Sequence, residues 1–261
     1  MTINQEKLFS IITITYNNRA GLKKTAQSVM TQSCTDYEWL IIDGDSTDGT
    51  QEDFSDYPQA GITSEPDRGI YDAMNKGIDQ ATGKYIIFMN AGDQFAHQDI
   101  LQTIKGIITT SPDLIFGDSF EETECGEKYY KCAKPASQIN RGLFTHHQSI
   151  FYNRHSLGNR RYDLSYKIAA DYHLTLNFLR NHKSASYISE PICIFEGGGI
   201  SQKNIRLGRE EQFRARKEGG VPLGENIFIS QKQKAASFLR RLNPKLFWAI
   251  KNWHRNYSNF K

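Results

Sequence analysis

Residues 9–15, FSIITIT, are rich in β-branched residues, which predicts a buried strand. Arg19 to Met30 then carries Leu22, Ala26, Val29 and Met30 at helical spacing. Trp39 to Ile42 is a second buried strand, ending in the polar turn cluster Asp43-Gly44-Asp45-Ser46-Thr47-Asp48-Gly49. Ile62 to Ser64 is a short third strand. A helix follows from about Gly69 to Ala81, with Ile70, Ala73, Met74, Gly77, Ile78 and Ala81 on one face, and Gly83 stops it. Tyr85 to Met89 is strand, Ile100 to Ile108 helix, and Leu114 to Phe116 strand again. This alternation predicts an α/β fold, a mostly parallel sheet with helices on both faces.

The rhythm changes after Gly117. Residues 118–134 read as a hairpin or irregular strands. Asp171 to Leu179 is helical, Ala185 to Phe195 is a strand interrupted at Pro191, Gly197-Gly198-Gly199 is a loop, and Ile205 to Lys217 is a charged helix. No internal repeat is visible.

With 261 residues, 38% hydrophobic and 23% charged, the chain can bury a sizeable core and has an ordinary soluble composition. The net charge of +3 conceals an asymmetry. No acid follows Glu225, whereas Lys232, Lys234, Arg240, Arg241, Lys245, Lys251, Arg255 and Lys261 do, so the body is acidic and the tail basic. The expected organisation is therefore a domain over 1–225, with halves 1–117 and 118–225, and a tail over 226–261. Cys34, Cys125, Cys132 and Cys193 form no metal or disulfide spacing and read as reduced thiols. With neither a signal peptide nor a spanning segment in the sequence, the expected location is the cytoplasm.

Polar residues cluster where the predicted strands end: Thr15-Tyr16-Asn17, Asp43, and Asn90-Ala91-Gly92-Asp93. In an open α/β sheet these ends converge, and ligands bind there. An aromatic ring, an Asp and a terminal Asp suit a base, a base or ribose edge, and a metal-bound diphosphate. Taken singly, each Asp or Asn reads first as a turn former or helix cap, and it is their convergence that favours a site. The chain has no G-x-G-x-x-G after its first strand, no G-x-x-x-x-G-K-[ST] and no H-E-x-x-H, which excludes the common dinucleotide, P-loop and zinc signatures. A phosphate site here would use carboxylate and Mg²⁺ or Mn²⁺ rather than a Gly-rich cradle.

The order SIITITYN, LIIDGDSTDGT, SEPDRGIYDAMNKGI and FMNAGD resembles the family 2 inverting glycosyltransferases of GT-A fold, notably those that build bacterial exopolysaccharides such as colanic acid and O-antigens. The likeness is strong over about residues 8–117. It continues more weakly through THHQSIFY (145–152), YDLSYKIAADYHL (162–174) and FEGGGIS (195–201). It implies that Thr15, Tyr16 and Asn17 line the base and ribose pocket, that Asp43 accepts from a uracil base, and that Asp67 sits beside it. The family's D-x-D-type motif falls on Asn90-Ala91-Gly92-Asp93. Here Asn90 and Gly92 stand where acids are common, leaving Asp93 as the metal ligand. The catalytic base falls on Asp171, for which the competing reading is a helix N-cap.

The resemblance thus implies transfer of a sugar from a UDP-linked donor to a lipid-linked oligosaccharide or surface polysaccharide. His146, His147 and Gln148 are candidate donor or acceptor contacts, or else a structural hydrogen-bonding group. Gly197 to Ser201, centred on Gly198, reads as a closing loop or a plain surface loop. Arg68 and Lys76 are within the class of phosphate ligands, although charged helix positions are usually solvated. Asn243-Pro244 predicts a helix start, after which Leu246, Phe247, Ile250, Trp253 and Tyr257 lie among basic residues. That suits an anionic membrane surface on the inner face of the cytoplasmic membrane, or a helix docked on the body. Nucleic acid is not an expected partner. The rival functions are a sugar-nucleotide nucleotidyltransferase, disfavoured because YNNRAG is not a Gly-rich basic loop, and a non-catalytic nucleotide-sugar binder.

Overall fold

The computed structural model describes residues 6–250 except 109, 182, 183, 244 and 248. Its first half repeats strand and helix: β1 (Phe9–Thr15), α1 (Arg19–Met30), β2 (Tyr37–Asp43), β3 (Ala60–Ser64), α2 (Ile70–Gln80), β4 (Tyr85–Phe88), β5 (Gln94–Phe95) and α3 (Ile100–Ile107). The second half continues with β6 (Leu114–Glu122), β7 (Lys128–Lys131), β8 (Ile150–Asn153), α4 (Arg154–Leu157), α5 (Ala170–Asn181), β9 (Ala185–Glu196), α6 (Ile200–Lys203), α7 (Ile205–Glu218) and α8 (Leu223–Leu242).

Among the described residues the strands form one sheet in the order β3-β2-β1-β4-β8-β6-β9-β5, with β7 on β6. The expected parallel pairing holds for β3, β2, β1 and β4, and again for β6 with β9. Between them β8 runs antiparallel to both β4 and β6, so the sheet is mixed at its centre. The hairpin expected over 118–134 is β6 with β7. The interruption at Pro191 is a register irregularity, where Gly117, Asp118 and Ser119 meet Ile188, Pro191 and Cys193.

Alternate residues of the buried strands face opposite cores, as a period of two requires. Ile12, Ile14, Leu40 and Ile42 pack with Met74 and Ile78 of α2 and with Tyr172 and Phe178 of α5. Phe9, Ile11, Trp39 and Ile41 pack with α1 and α3. Each fully buried aliphatic side chain contributes on the order of 1.5–3 kcal/mol. Trp39 keeps its polar atom satisfied by donating from Nε1 to Thr13 Oγ1 at 2.9 Å.

The border expected between residues 225 and 226 falls inside α8, a single helix from Leu223 to Leu242. Arg216 of α7, fully buried, fastens it by donating to Asn226 Oδ1 at 2.6 Å and Ser230 Oγ at 3.1 Å. Beyond it Asn243 accepts from the Leu246 amide at 2.9 Å, the cap expected at that position. Trp253 and Tyr257 lie outside the described residues. Among the described residues no helix is long and apolar enough to cross a membrane. All four cysteines are free.

Candidate active site

The ends of β1 and β4 open into a cleft of about 820 Å³. Thr15, Tyr16 and Asp67 line it at one end, Asn90, Ala91, Asp93 and Gln148 in the middle, and His146, His147 and Asp171 farther in. Gly198 and its neighbours, through Gln202, form part of the wall.

At the first end, the Tyr16 ring is 64% exposed and so free to stack. Gly44 separates it from Asp67: a Cβ on Gly44 would lie 2.5 Å from Asp67 Oδ2 and 3.2 Å from the Tyr16 ring. The absent side chain lets Asp67 and the Tyr16 ring approach the Gly44 backbone closely. Asp67 is fixed by the Gly69 amide, which donates to Oδ1 at 2.7 Å.

Three of the expected donor-binding residues stand off the cleft wall. Asp43 is fully buried and accepts from the Ser46 amide (3.0 Å), Ser46 Oγ (2.5 Å) and Ser64 Oγ (2.6 Å), so its carboxylate braces the turn after β2. Asn17, with φ +48°, binds the same turn, donating its amide to Ser46 Oγ and accepting from the Thr47 amide. Gly92 donates its amide to Thr25 Oγ1 at 3.0 Å. Thr25 Oγ1 in turn lies 2.6 Å from the Asp93 carbonyl, to which it donates, and 3.0 Å from the Asn90 carbonyl, so one buried hydroxyl sits at the centre of the Asn90–Asp93 turn.

Asp93 is buried. Its Oδ1 accepts from the Glu196 amide at 2.9 Å and its Oδ2 from Gln148 Nε2 at 2.6 Å. Burial, reinforced by the nearby Glu196 carboxylate, pushes its pKa up to about 7 despite those hydrogen bonds. The Oδ1 of Asn90 and the Oε1 of Gln148 are buried without a donor. Such unsatisfied oxygens are the donor set a hard divalent cation takes. Among the described residues no group of three or more His, Cys, Asp or Glu forms a closed cage, so an ion here would complete its shell with phosphate oxygens. Asp93, Asn90 and Gln148 thus fit a cation delivered with a diphosphate.

Asp171 lies in the first turn of α5, one residue inside the helix rather than at its cap. Its Oδ1 accepts from the Tyr172 amide at 2.7 Å, while Glu211 of α7 braces the loop ahead of the helix, its carboxylate accepting from the amides of Lys167 (2.7 Å), Ile168 (2.8 Å) and Ala169 (2.9 Å). The loop before α5 is also held by α2. Tyr71 Oη donates to the Ile168 carbonyl at 2.7 Å, and Asn75 exchanges two hydrogen bonds with Tyr162. Through these contacts the YDAMN stretch of α2 positions Asp171. Burial pushes the Asp171 carboxyl up to about 6, so it is ionised at neutral pH yet basic enough to take a proton.

His147 stands between the two carboxylate regions. Its Nε2 is 3.2 Å from Asn90 Nδ2 and its Nδ1 is 3.6 Å from Asp171 Oδ2. Burial and the Lys131 ammonium lower its pKa to about 4, so the ring is neutral. With Asn90 donating to Nε2, the ring proton sits on Nδ1, toward Asp171. His146 instead stacks on Phe195, with ring centroids 4.3 Å apart.

Charged residues on the far wall were not singled out from sequence. Buried Glu121 of β6 pairs with Arg240 of α8 and accepts from Gln202 at 3.0 Å. Burial opposes its ionisation, but His146, Arg240 and Lys131 outweigh that and hold it well below the usual carboxylate range. Lys131 of β7 is lowered by burial to about 8. The hairpin and the tail were both visible in the sequence; that they meet over one cleft was not.

The sequence matches the family described as Glycosyl transferase family 2 over residues 10–170. The chain belongs to glycosyltransferase family 2. It is a transferase, and its mixed sheet and helices are the GT-A fold. A PGL/p-HBAD biosynthesis glycosyltransferase of Mycobacterium tuberculosis is 33% identical over 235 residues, covering 85% of this chain and 88% of that protein. Among solved structures, S. aureus TarS 1–349 in complex with UDP-GlcNAc superposes with a TM-score of 0.63 at 17% identity, covering 93% of this chain and 79% of that one. The mannosyltransferase PcManGT of Pyrobaculum calidifontis, in complex with GDP-Man and Mn²⁺, superposes with a TM-score of 0.60 at 15% identity, covering 98% and 84%.

Proposed function

We propose that this family 2 glycosyltransferase moves a sugar from a UDP-linked donor to a lipid-linked oligosaccharide or surface-polysaccharide acceptor, with inversion, using Asp171 as general base. The observation that carries this reading is the shared cleft. Strand-end residues suited to a nucleotide diphosphate and a buried carboxyl of pKa about 6 open into the same space.

In this reading Tyr16 stacks on the base, and Thr15 and Asp67 meet the base and ribose. Asp93, Asn90 and Gln148 would hold Mn²⁺ or Mg²⁺, which when bound would supply positive charge to offset the negative charge of the departing diphosphate. The acceptor hydroxyl oxygen attacks the anomeric carbon as its proton passes to Asp171. The bond from that carbon to the diphosphate oxygen breaks, and its electron pair leaves with UDP. One displacement through an oxocarbenium-like state inverts the anomeric centre. TarS and PcManGT, with UDP-GlcNAc and with GDP-Man and Mn²⁺, support a nucleotide-sugar and a divalent cation in a cleft of this fold.

The acceptor side of the reading rests on α8 and the residues just beyond it. Phe238, Leu242, Leu246 and Ile250 are exposed beside Arg241 and Lys245. An apolar surface flanked by cations suits the interface of an anionic membrane, where a lipid-linked acceptor resides. The PGL/p-HBAD name of the mycobacterial relative supports assembly of a glycoconjugate.

Isothermal calorimetry with Mn²⁺ and a panel of UDP-, GDP- and dTDP-sugars tests the donor assignment. Saturable binding of a UDP-sugar is expected; binding of none of them would overturn the function.

A further inference from the structure

The Asn90–Asp93 turn has a glycine where the family's motif commonly has an acid, and the structure fills that place from elsewhere. Gly92 has φ +106°, and a Cβ built on it would lie 2.2 Å from Glu196 Oε2. That is close to the separation between a carboxylate oxygen and the Cβ of its own aspartate. One carboxylate oxygen therefore lies beside the place that an acid at residue 92 would occupy, with its carboxyl carbon 2.9 Å from that Cβ, and it arrives from the end of β9.

We propose that Glu196 supplies the second carboxylate of the divalent-cation site, in the position left open by Gly92. The proposal rests on the glycosyltransferase reading and adds a ligand to it.

Three further observations support the assignment. The Glu196 amide donates to Asp93 Oδ1 at 2.9 Å, so the two acids are fixed to one another through the backbone. Gln148, only 1% exposed, spends its Nε2 on Asp93 and leaves Oε1 buried without a donor on the wall of the same cleft. Lys24 Nζ lies 3.3 Å from Glu196 Oε1 but also 2.6 Å from Glu122 Oε2. Glu196 can thus turn to a cation while Lys24 keeps a partner. Two carboxylates plus donor phosphate oxygens is a common ligand set for Mg²⁺-like ions.

Electron paramagnetic resonance of Mn²⁺, titrated into the full-length protein with and without UDP, tests the proposal without any turnover. Glu196→Gln is expected to weaken Mn²⁺ binding in the presence of UDP by about tenfold or more. Lys24→Met removes the ion pair but keeps the carboxylate, and is expected to bind Mn²⁺ at least as tightly as the wild type. Unchanged binding in Glu196→Gln overturns the proposal. Equal weakening in both variants also overturns it, since that marks Glu196 as an ion-pair partner only. A wild-type protein with no Mn²⁺ affinity overturns it too. In that case calorimetry with UDP alone separates the two readings: retained UDP binding leaves the donor site standing without Glu196.

Discussion

His147 Nδ1 lies 3.6 Å from Asp171 Oδ2, too far for a hydrogen bond, yet near enough that the ring excludes water from the carboxylate. Burial raises the Asp171 pKa, and the neutral imidazole, unlike an imidazolium, brings no positive charge to offset that rise. Transfer needs the ionised base, so the rate should rise with pH through about 6 and level off above it. In His147→Ala, water reaches the carboxylate, and the acid limb of the kcat/KM profile should move to lower pH by about one unit. A limb moving to higher pH would contradict this view of the ring.

The same raised pKa has a consequence for stability. Asp171 binds a proton more tightly in the folded state than in the unfolded chain. Its stabilising contribution is full below the ordinary aspartate pKa and is lost as pH rises through about 6. Asp171→Asn should therefore melt above the wild type at neutral pH, by on the order of 5 °C, with the difference closing as the pH falls below about 4. Differential scanning calorimetry across that range checks both the sign and the window.

Glu211 satisfies three amides ahead of α5 with one carboxylate. Removing it leaves those donors unpaired in a part-buried loop. Glu211→Ala should cost about 2–3 kcal/mol in denaturant unfolding. It should also lower kcat more than it raises KM for the donor, because it loosens the Asp171 side of the cleft and not the Tyr16 side.

Much of this was legible in the sequence, for definite reasons. FSIITIT and YDAMNKG carry strong periodicity, and β1 and α2 fall within a residue of their expected limits. Asp171, Asp93, Tyr16 and the His146–Gln148 group do line one cleft. Asp43 read as a ligand because it ends a strand, yet its oxygens are engaged by Ser46 and Ser64, serines whose proximity depends on the pairing of β2 with β3. The partners of Glu211 and Arg240 were not legible, because each side chain meets a group more than 40 positions away in the chain. Gly92 could be seen as a missing acid; its replacement from Glu196 required the register of β9 against β5.

The exposed apolar residues of the C-terminal region make a separate prediction. Phe238→Ser with Leu242→Ser leaves Arg240, Arg241 and the α7 contacts in place while removing apolar surface. Sedimentation with vesicles containing anionic lipid should show binding by the wild type and a loss of about tenfold or more in the double variant. Equal partition of the two proteins would assign these residues to something other than a membrane.

The base assignment is the centre of the mechanism, and release of UDP from a UDP-sugar in the presence of Mn²⁺ and acceptor tests it most directly. Asp171→Asn should release UDP at least about a hundredfold more slowly than the wild type while binding UDP with unchanged affinity. Release at the wild-type rate by the folded variant would contradict the assignment.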